Sequence, residues 1–277
     1  MMMMTGLTAL DVQQNKSVLQ VWLNRPAARN SLSATLVSEL DGLFTGLASR
    51  PDVRTVVLRG RGGHFCAGAD LKEMAEARAA GADGVGSDPF AVLNRALGTL
   101  LQRVEAAPQV VVAVCEGAVL GGGLGLACTA DITLVEADAQ LGLPELTLGL
   151  PPAQIALFLV ARLGLSQARR LALTGARFDG RQAAALGIAH AAYAGTAALE
   201  QGLAETLAAI ARCAPGAIAT TKQLLRTIGT VPTSALLDQA AALFAAAARG
   251  DEAAEGAVAF AEKRKPRWND WNDPEQP

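Results

Sequence analysis

Phe65-Cys66-Ala67-Gly68-Ala69-Asp70-Leu71 and Val119-Leu120-Gly121-Gly122-Gly123-Leu124-Gly125 decide the fold of this chain. Each stretch reads as the end of an apolar strand that enters a glycine-containing turn and then a helix. The first N–H groups of a helix have no partner within it, and small residues let a ligand approach the main chain closely. Two such turns, about fifty residues apart and aimed at one point, would offer a pair of backbone donors to an oxygen that gains negative charge, as an oxyanion hole does. The pattern is not the G-x-G-x-x-G of a dinucleotide site, since the second glycine cluster is consecutive and no supporting unit is evident.

Outward from these turns, strands and helices alternate. Val18 to Leu23 reads as a strand broken by Asn24-Arg25-Pro26. Ser33 is placed to cap a helix over about 34–48, whose Leu36, Val37, Leu40, Leu43, Phe44 and Leu47 recur at helical spacing. Val56-Val57-Leu58, Val110 to Val114 and Ile132 to Val135 read as further strands, and a helix from about Phe90 to Ala106 stops near Pro108. Residues 75–89 lack an apolar face and read as a loop or weak helix near the mouth of the site. This alternation, which runs to about residue 190, gives an α/β architecture whose default is a doubly wound parallel sheet. After about Thr196 the pattern is almost purely helical, punctuated by Pro215 and Pro232.

Composition narrows the function. With 277 residues, 51% of them apolar, the chain can bury a sizeable core. A formal charge of −2 argues against a broad nucleic-acid surface. Cys66, Cys115, Cys128 and Cys213 form no metal-type spacing, and with His64 and His190 as the sole histidines no metal site is expected. Cys66 reads as a small buried residue rather than a nucleophile, and His64 as a surface or packing residue rather than a base. No apolar run is long enough to span a bilayer. Met1 to Met4 is too short for the apolar core of a signal peptide and has no basic lead, so the expected setting is the cytoplasm.

At these residues the chain resembles the crotonase, or enoyl-CoA hydratase/isomerase, superfamily. The likeness runs through Leu23-Asn24-Arg25-Pro26, Arg29-Asn30-Ser31-Leu32, Phe65 to Met74, the triple glycine, Ala130-Asp131-Ile132, Leu143-Pro144-Glu145 and Phe260-Ala261-Glu262-Lys263-Arg264. Any one motif is weak; their order and spacing together are specific. The resemblance replaces the doubly wound sheet by a crotonase-type spiral of repeated ββα units with a C-terminal helical trimerisation region. It implies a core with the active site over 1–196 and an oligomerisation region over 197–277, assembled as a homotrimer or as a hexamer made of two trimers. The implied partner is an acyl-CoA thioester, whose coenzyme A belongs to the substrate, so no separate cofactor is expected.

The resemblance also assigns the site. Ala69 and Gly122 would be the oxyanion donors, with Gly68 and Gly121 beside them. Ala67 and Leu71 would lie along adenine and pantetheine, Arg25 near the nucleotide, and Phe260 and Lys263 would come from the tail, Lys263 reaching a neighbouring subunit's phosphates. Asp70 stands in this binding stretch, yet like Asp131 it sits where an aspartate caps backbone donors, and both read as structural.

Hydratases of this family use two glutamates flanking a water. Here the matching positions are Gly125, three residues past Gly122, and Glu145, so one carboxylate is kept and the other is missing. Glu145 lies among apolar neighbours, where burial would raise its pKa toward the working range of a general acid or base. A lone carboxylate suits a Δ3,Δ2-enoyl-CoA isomerase directly. The segment Gly149-Leu150-Pro151-Pro152-Ala153-Gln154-Ile155-Ala156 instead resembles hydratases that act on branched glutaconyl-CoA thioesters. In that reading the substrate's second carboxylate, or Gln154, helps place the water, and Gly125 opens room for the branch. A catalytically silent scaffold or RNA-binding member is the alternative from another class. Retention of both turns and Glu145 argues against it, as does the lack of a basic, aromatic-interleaved face.

Overall fold

The computed structural model describes residues 6–80 and 88–269. A six-stranded sheet has the order β1 (Leu10–Asn15), β2 (Val18–Leu23), β3 (Thr55–Gly60), β4 (Val110–Cys115), β6 (Ile132–Glu136), β9 (Ala191–Tyr193). β1 is antiparallel to β2, and every other pair is parallel. A second sheet of three short strands, β5 (Ala118–Leu120), β7 (Gln140–Gly142) and β8 (Arg177–Asp179), stands beside it. The α/β spiral of the expectation is present; the sequence reading did not include β1, the three short strands or β9.

The large sheet is buried on both faces, and β4 shows why its residues read as an uninterrupted apolar run. Val111, Ala113 and Cys115 enter the main core. They meet α1 (Ala34–Leu47), α3 (Pro89–Ala106), α4 (Gly122–Thr129) and α5 (Ala153–Thr174) there. Val110, Val112 and Val114 point the other way, onto Leu199, Leu203, Leu207 and Ile210 of α7 (Thr196–Ala211). Ser33 caps α1 as expected, its Oγ accepting from the N–H of Leu36 at 3.1 Å. Of the stretch 75–89 read as a loop or weak helix, 75–80 lie in the helix α2 (Leu71–Ala80), 81–87 lie outside the described residues, and Asp88 and Pro89 cap and open α3.

The tail is helical, as its pattern suggests: α8 (Pro215–Arg226), α9 (Thr233–Ala248) and α10 (Asp251–Ala261) follow α7. α8 and α9 bury no residue in this chain, and Phe244 is 77% exposed. Polar contacts tie the tail to the core, among them a latch at Lys222. Lys222 Nζ donates to Asp131 Oδ2 and to the Gln109 carbonyl, both at 2.6 Å, and the same Asp131 oxygen accepts from the N–H of Val111 at 2.7 Å. Asp131 is thus structural, as expected. Lys222→Ala leaves a half-buried carboxylate without its cation. The expected loss of stability lies between the ~1 kcal/mol of an exposed pair and the ~3–5 kcal/mol of a buried one, read by urea unfolding.

Among the described residues, no helix is long and apolar enough to cross a membrane, and no group of three or more His, Cys, Asp and Glu side chains could hold a metal ion.

Candidate active site

The first turn is held open by pairing on either side of it. Leu32 donates its N–H to the Gly68 carbonyl at 2.8 Å, and Asp70 donates to the Leu32 carbonyl at 3.3 Å. Successive peptides of an extended segment face opposite ways, so the Ala69 N–H points away from Leu32. It has no acceptor among the described residues, and Ala69 is exposed. Gly68, at φ +94°, makes this reversal possible; a Cβ there would come within 3.1 Å of the Leu120 carbonyl oxygen.

The second turn sits against the first. Cys66 pairs with Val119, its N–H donating to the Ala118 carbonyl at 2.9 Å while the N–H of Leu120 donates back at 2.9 Å. Gly121 takes φ 52°, ψ −121° and precedes α4, so Gly122 is the first residue of that helix and its N–H is one of the unpaired first-turn donors. The free donors of both turns therefore stand at adjoining segments.

The same small sheet delivers Glu145. Leu120 pairs with Gly142, and the Gly121 N–H donates to the Gly142 carbonyl at 3.0 Å. Past β7 the chain turns at Pro144 into a short 3-10 helix over Pro144–Leu148, which places the Glu145 carboxylate over the head of α4. A Cβ on Gly121 would stand 2.5 Å from Glu145 Oε1. Glu145 Oε2 is buried and has no hydrogen-bond partner among the described residues. Burial holds this carboxyl above its ordinary pKa of 4.5, partly offset by its own backbone N–H.

As a base the group must be ionised, so activity should fall as pH drops through that raised pKa. The acid limb of kcat/KM is expected to have its midpoint above 4.5, the ordinary value, as a pH–rate profile will show. Stability runs the opposite way. A raised folded-state pKa means this group's contribution is full below 4.5 and is lost as pH rises through the raised value.

Around this centre the expected residues divide. Arg25 does not stand free: its guanidinium donates to the Ser31 carbonyl at 2.6 Å and to Asp70 Oδ2 at 2.8 Å. Asp70 also accepts from the N–H groups of Lys72 at 3.1 Å and Glu73 at 3.4 Å, capping α2. The Arg25 guanidinium and these backbone bonds hold the Asp70 carboxyl below its ordinary pKa against the opposing effect of burial, which is the largest. This clamp, centred on Asp70, fastens residues 25–32 to the first turn. His64 belongs to the same framework, its Nδ1 accepting from the Ala118 N–H at 3.1 Å. Burial pushes the Cys66 thiol up to about 12, which suits a packing role.

Ala67 donates its N–H to the Arg29 carbonyl at 3.0 Å, and Leu71, 56% exposed, opens α2. Phe260, 88% exposed, and Lys263 lie on the outside of this chain near the end of α10. At Gly125 the expected opening is already filled: a Cβ there would meet Leu101 Cδ1 at 3.2 Å and Ile155 Cγ1 at 3.4 Å. Two apolar side chains thus stand close against the Cβ position of residue 125.

Two supporting residues escaped the sequence reading. Asn30, fully buried at φ 56°, accepts from the Arg25 N–H at 2.8 Å and donates to the carbonyls of Arg61 at 2.9 Å and His64 at 2.6 Å. Gly98, inside α3, would bring a Cβ within 2.7 Å of Gln154 Cδ. The signal for Gly98 was a lone glycine in a helical pattern, which needs a packing reason.

With the geometry in place, comparison with known proteins is informative. The family model described as enoyl-CoA hydratase/isomerase matches residues 13–272. The 2,3-dehydroadipyl-CoA hydratase of Escherichia coli is 33% identical over 261 residues, covering 94% of this chain and 98% of that protein. Among solved structures, Pseudomonas aeruginosa AtuE superposes with a TM-score of 0.91 at 52% identity, covering 95% of this chain and 100% of that one. An enoyl-CoA hydratase/isomerase from Marinobacter aquaeolei gives a TM-score of 0.91 at 46% identity, covering 95% and 99%. The chain belongs to the enoyl-CoA hydratase/isomerase family and is an enzyme of the hydratase kind, a lyase.

Proposed function

We propose that this enzyme adds water to the 2,3 double bond of an α,β-unsaturated acyl-CoA that carries a second carboxylate, a branched glutaconyl-type thioester. The observation that carries the reading is the half-buried carboxylate of Glu145, whose Oε2 has no hydrogen-bond partner among the described residues, beside two turns whose Ala69 and Gly122 N–H groups have no acceptor among them either. The thioester oxygen takes those two donors. Glu145 removes a proton from water as the water oxygen bonds to C3, and the π electrons move onto the thioester oxygen. The enolate collapses as Glu145 returns that proton to C2, which gives syn addition and restores the carboxylate. Backbone donors aimed at the developing charge need no reorganisation during reaction.

With glycine at 125, and Leu101 and Ile155 close against its Cβ position, the water lacks a second protein carboxylate, and the substrate's own carboxylate supplies that contact. A relative named for a dehydroadipyl thioester, whose acyl chain is dicarboxylic, supports this class. The same reading makes the protein a cytoplasmic homotrimer or pair of trimers, with the exposed Phe244 and Phe260 of the tail covered by a neighbouring copy. In such an assembly Phe260 and Lys263 meet coenzyme A, and Arg25, Ala67 and Leu71 flank it.

The test is mass spectrometry of products from a panel of straight 2-enoyl-CoA, 3-enoyl-CoA and branched glutaconyl-CoA thioesters. Gain of one water on the branched member is expected. An unchanged mass with a shifted double bond would replace this reading by a Δ3,Δ2-enoyl-CoA isomerase, which the glycine at 125 favours, with Glu145 as sole proton carrier.

A further inference from the structure

We infer that Gln154 is the group that binds the second carboxylate of the acyl chain, and that Gly98 is the residue that seats it; the inference rests on the dicarboxylic-thioester reading above. Gly98 lies in the interior of α3 and is buried, a position where glycine stabilises a helix less than alanine does. What it admits is a neighbour from another helix. A Cβ at Gly98 would collide with Gln154 Oε1 and would stand 2.7 Å from its Cδ and 3.2 Å from its Cγ. The side chain of Gln154, in the first turn of α5, thus rests against α3 at Gly98.

Residues beside Gln154 and Gly98 reach α4, the helix that carries one proposed oxyanion donor. Leu97, next to Gly98, brings Cδ2 within 3.3 Å of where a Cβ of Gly122 would be. Leu101, one turn further along α3, and Ile155, next to Gln154, close over Gly125 at 3.2 and 3.4 Å from its Cβ position. The carboxamide therefore sits among residues that frame one proposed oxyanion donor and the position of the absent glutamate. It is half-buried, and among the described residues nothing donates to it or accepts from it.

A half-buried amide whose hydrogens meet no protein acceptor is free to donate to a ligand. A ligand carboxylate takes the two amide hydrogens, whereas a plain alkyl chain leaves them unpaired. Gln154 thus favours a carboxylate without the repulsion a glutamate at 125 would bring. Gly98, which has no side chain to touch substrate, is a positioning residue acting through Gln154.

The test uses saturated thioesters, so that it reads independently of the reaction catalysed. Affinities of glutaryl-CoA and butyryl-CoA are measured by calorimetry for the wild type, Gly98→Ala, Gln154→Ala and the double variant, with thermal unfolding alongside. Each single variant is expected to weaken glutaryl-CoA about tenfold and leave butyryl-CoA within about twofold. The double variant should be no weaker than either single one, because both remove the same contact. An unchanged ratio of the two affinities in either single variant would overturn the inference. So would equal loss for both ligands, or additive losses in the double variant. Failure of the hydratase reading shows separately, in the product masses.

Discussion

Glu145→Gln is expected to lower kcat by about 10²–10⁴-fold, the contribution typical of a positioned acid–base group, with little change in the affinity of saturated acyl-CoA. The substitution keeps the shape of the side chain and removes its basicity. Only one carboxylate faces the free amides of the two turns, so nothing in the described site can take over the proton. Loss of fold would not account for such a result, because ionised Glu145 works against stability. Its folded-state pKa is raised by burial, and at neutral pH the folded protein carries a carboxylate it would hold more easily as the acid. The neutral amide removes that burden, so the variant should unfold at an equal or higher urea concentration than the wild type. Slow turnover together with undiminished stability identifies a group kept for chemistry. Full activity in this variant would remove Glu145 from the mechanism and require another proton carrier.

The fold was legible wherever the core is two-sided or the helices are amphipathic. Val110 to Val114 could be read as a strand because β4 is buried on both faces, and Leu36 to Leu47 as a helix because one stripe of α1 faces the core. The short strands were illegible for the same physical reason reversed. β5, β7 and β8 have three residues each, too few for any period to show, and their register is set by long-range pairing such as Leu120 with Gly142. That pairing brings Glu145 to Gly121, and only the family resemblance pointed to it beforehand. Asp70, Asp131 and His64 were read as framework residues from their local positions, and their bonds agree. Gly125 misled because a missing side chain was equated with open space. A glycine leaves a gap only if no neighbour moves in, and Leu101 and Ile155 occupy that one. The Gly98–Gln154 contact could not be read at all, since it joins the middle of one helix to the start of another.

Gly121→Ala is expected to cost about 10²–10³ in kcat/KM, the scale of a lost oxyanion donor, although residue 121 contributes no side chain to the chemistry. Two effects combine at this position. At φ 52°, ψ −121° a residue with a Cβ is strained by about 1–3 kcal/mol. The added carbon would stand 2.5 Å from Glu145 Oε1 and 3.6 Å from the Gly68 Cα. It would be a wedge between the carboxylate and the two turns, and relief of any one contact shifts Glu145, the Ala69 amide or the Gly122 amide from the others. Gly195→Ala separates strain from wedge. Gly195 also has positive φ, at +80°, but a Cβ there meets nothing within 4 Å, at the start of α7. Both variants should lose comparable stability in urea, and only Gly121→Ala should lose turnover. If Gly195→Ala inactivates the enzyme equally, general loosening accounts for both, and the close approach of Glu145 to Gly121 has no catalytic meaning. If Gly121→Ala alone is slow, combining it with Glu145→Gln tells which group moved: losses that do not add mean a displaced carboxylate, and losses that add mean a displaced turn amide.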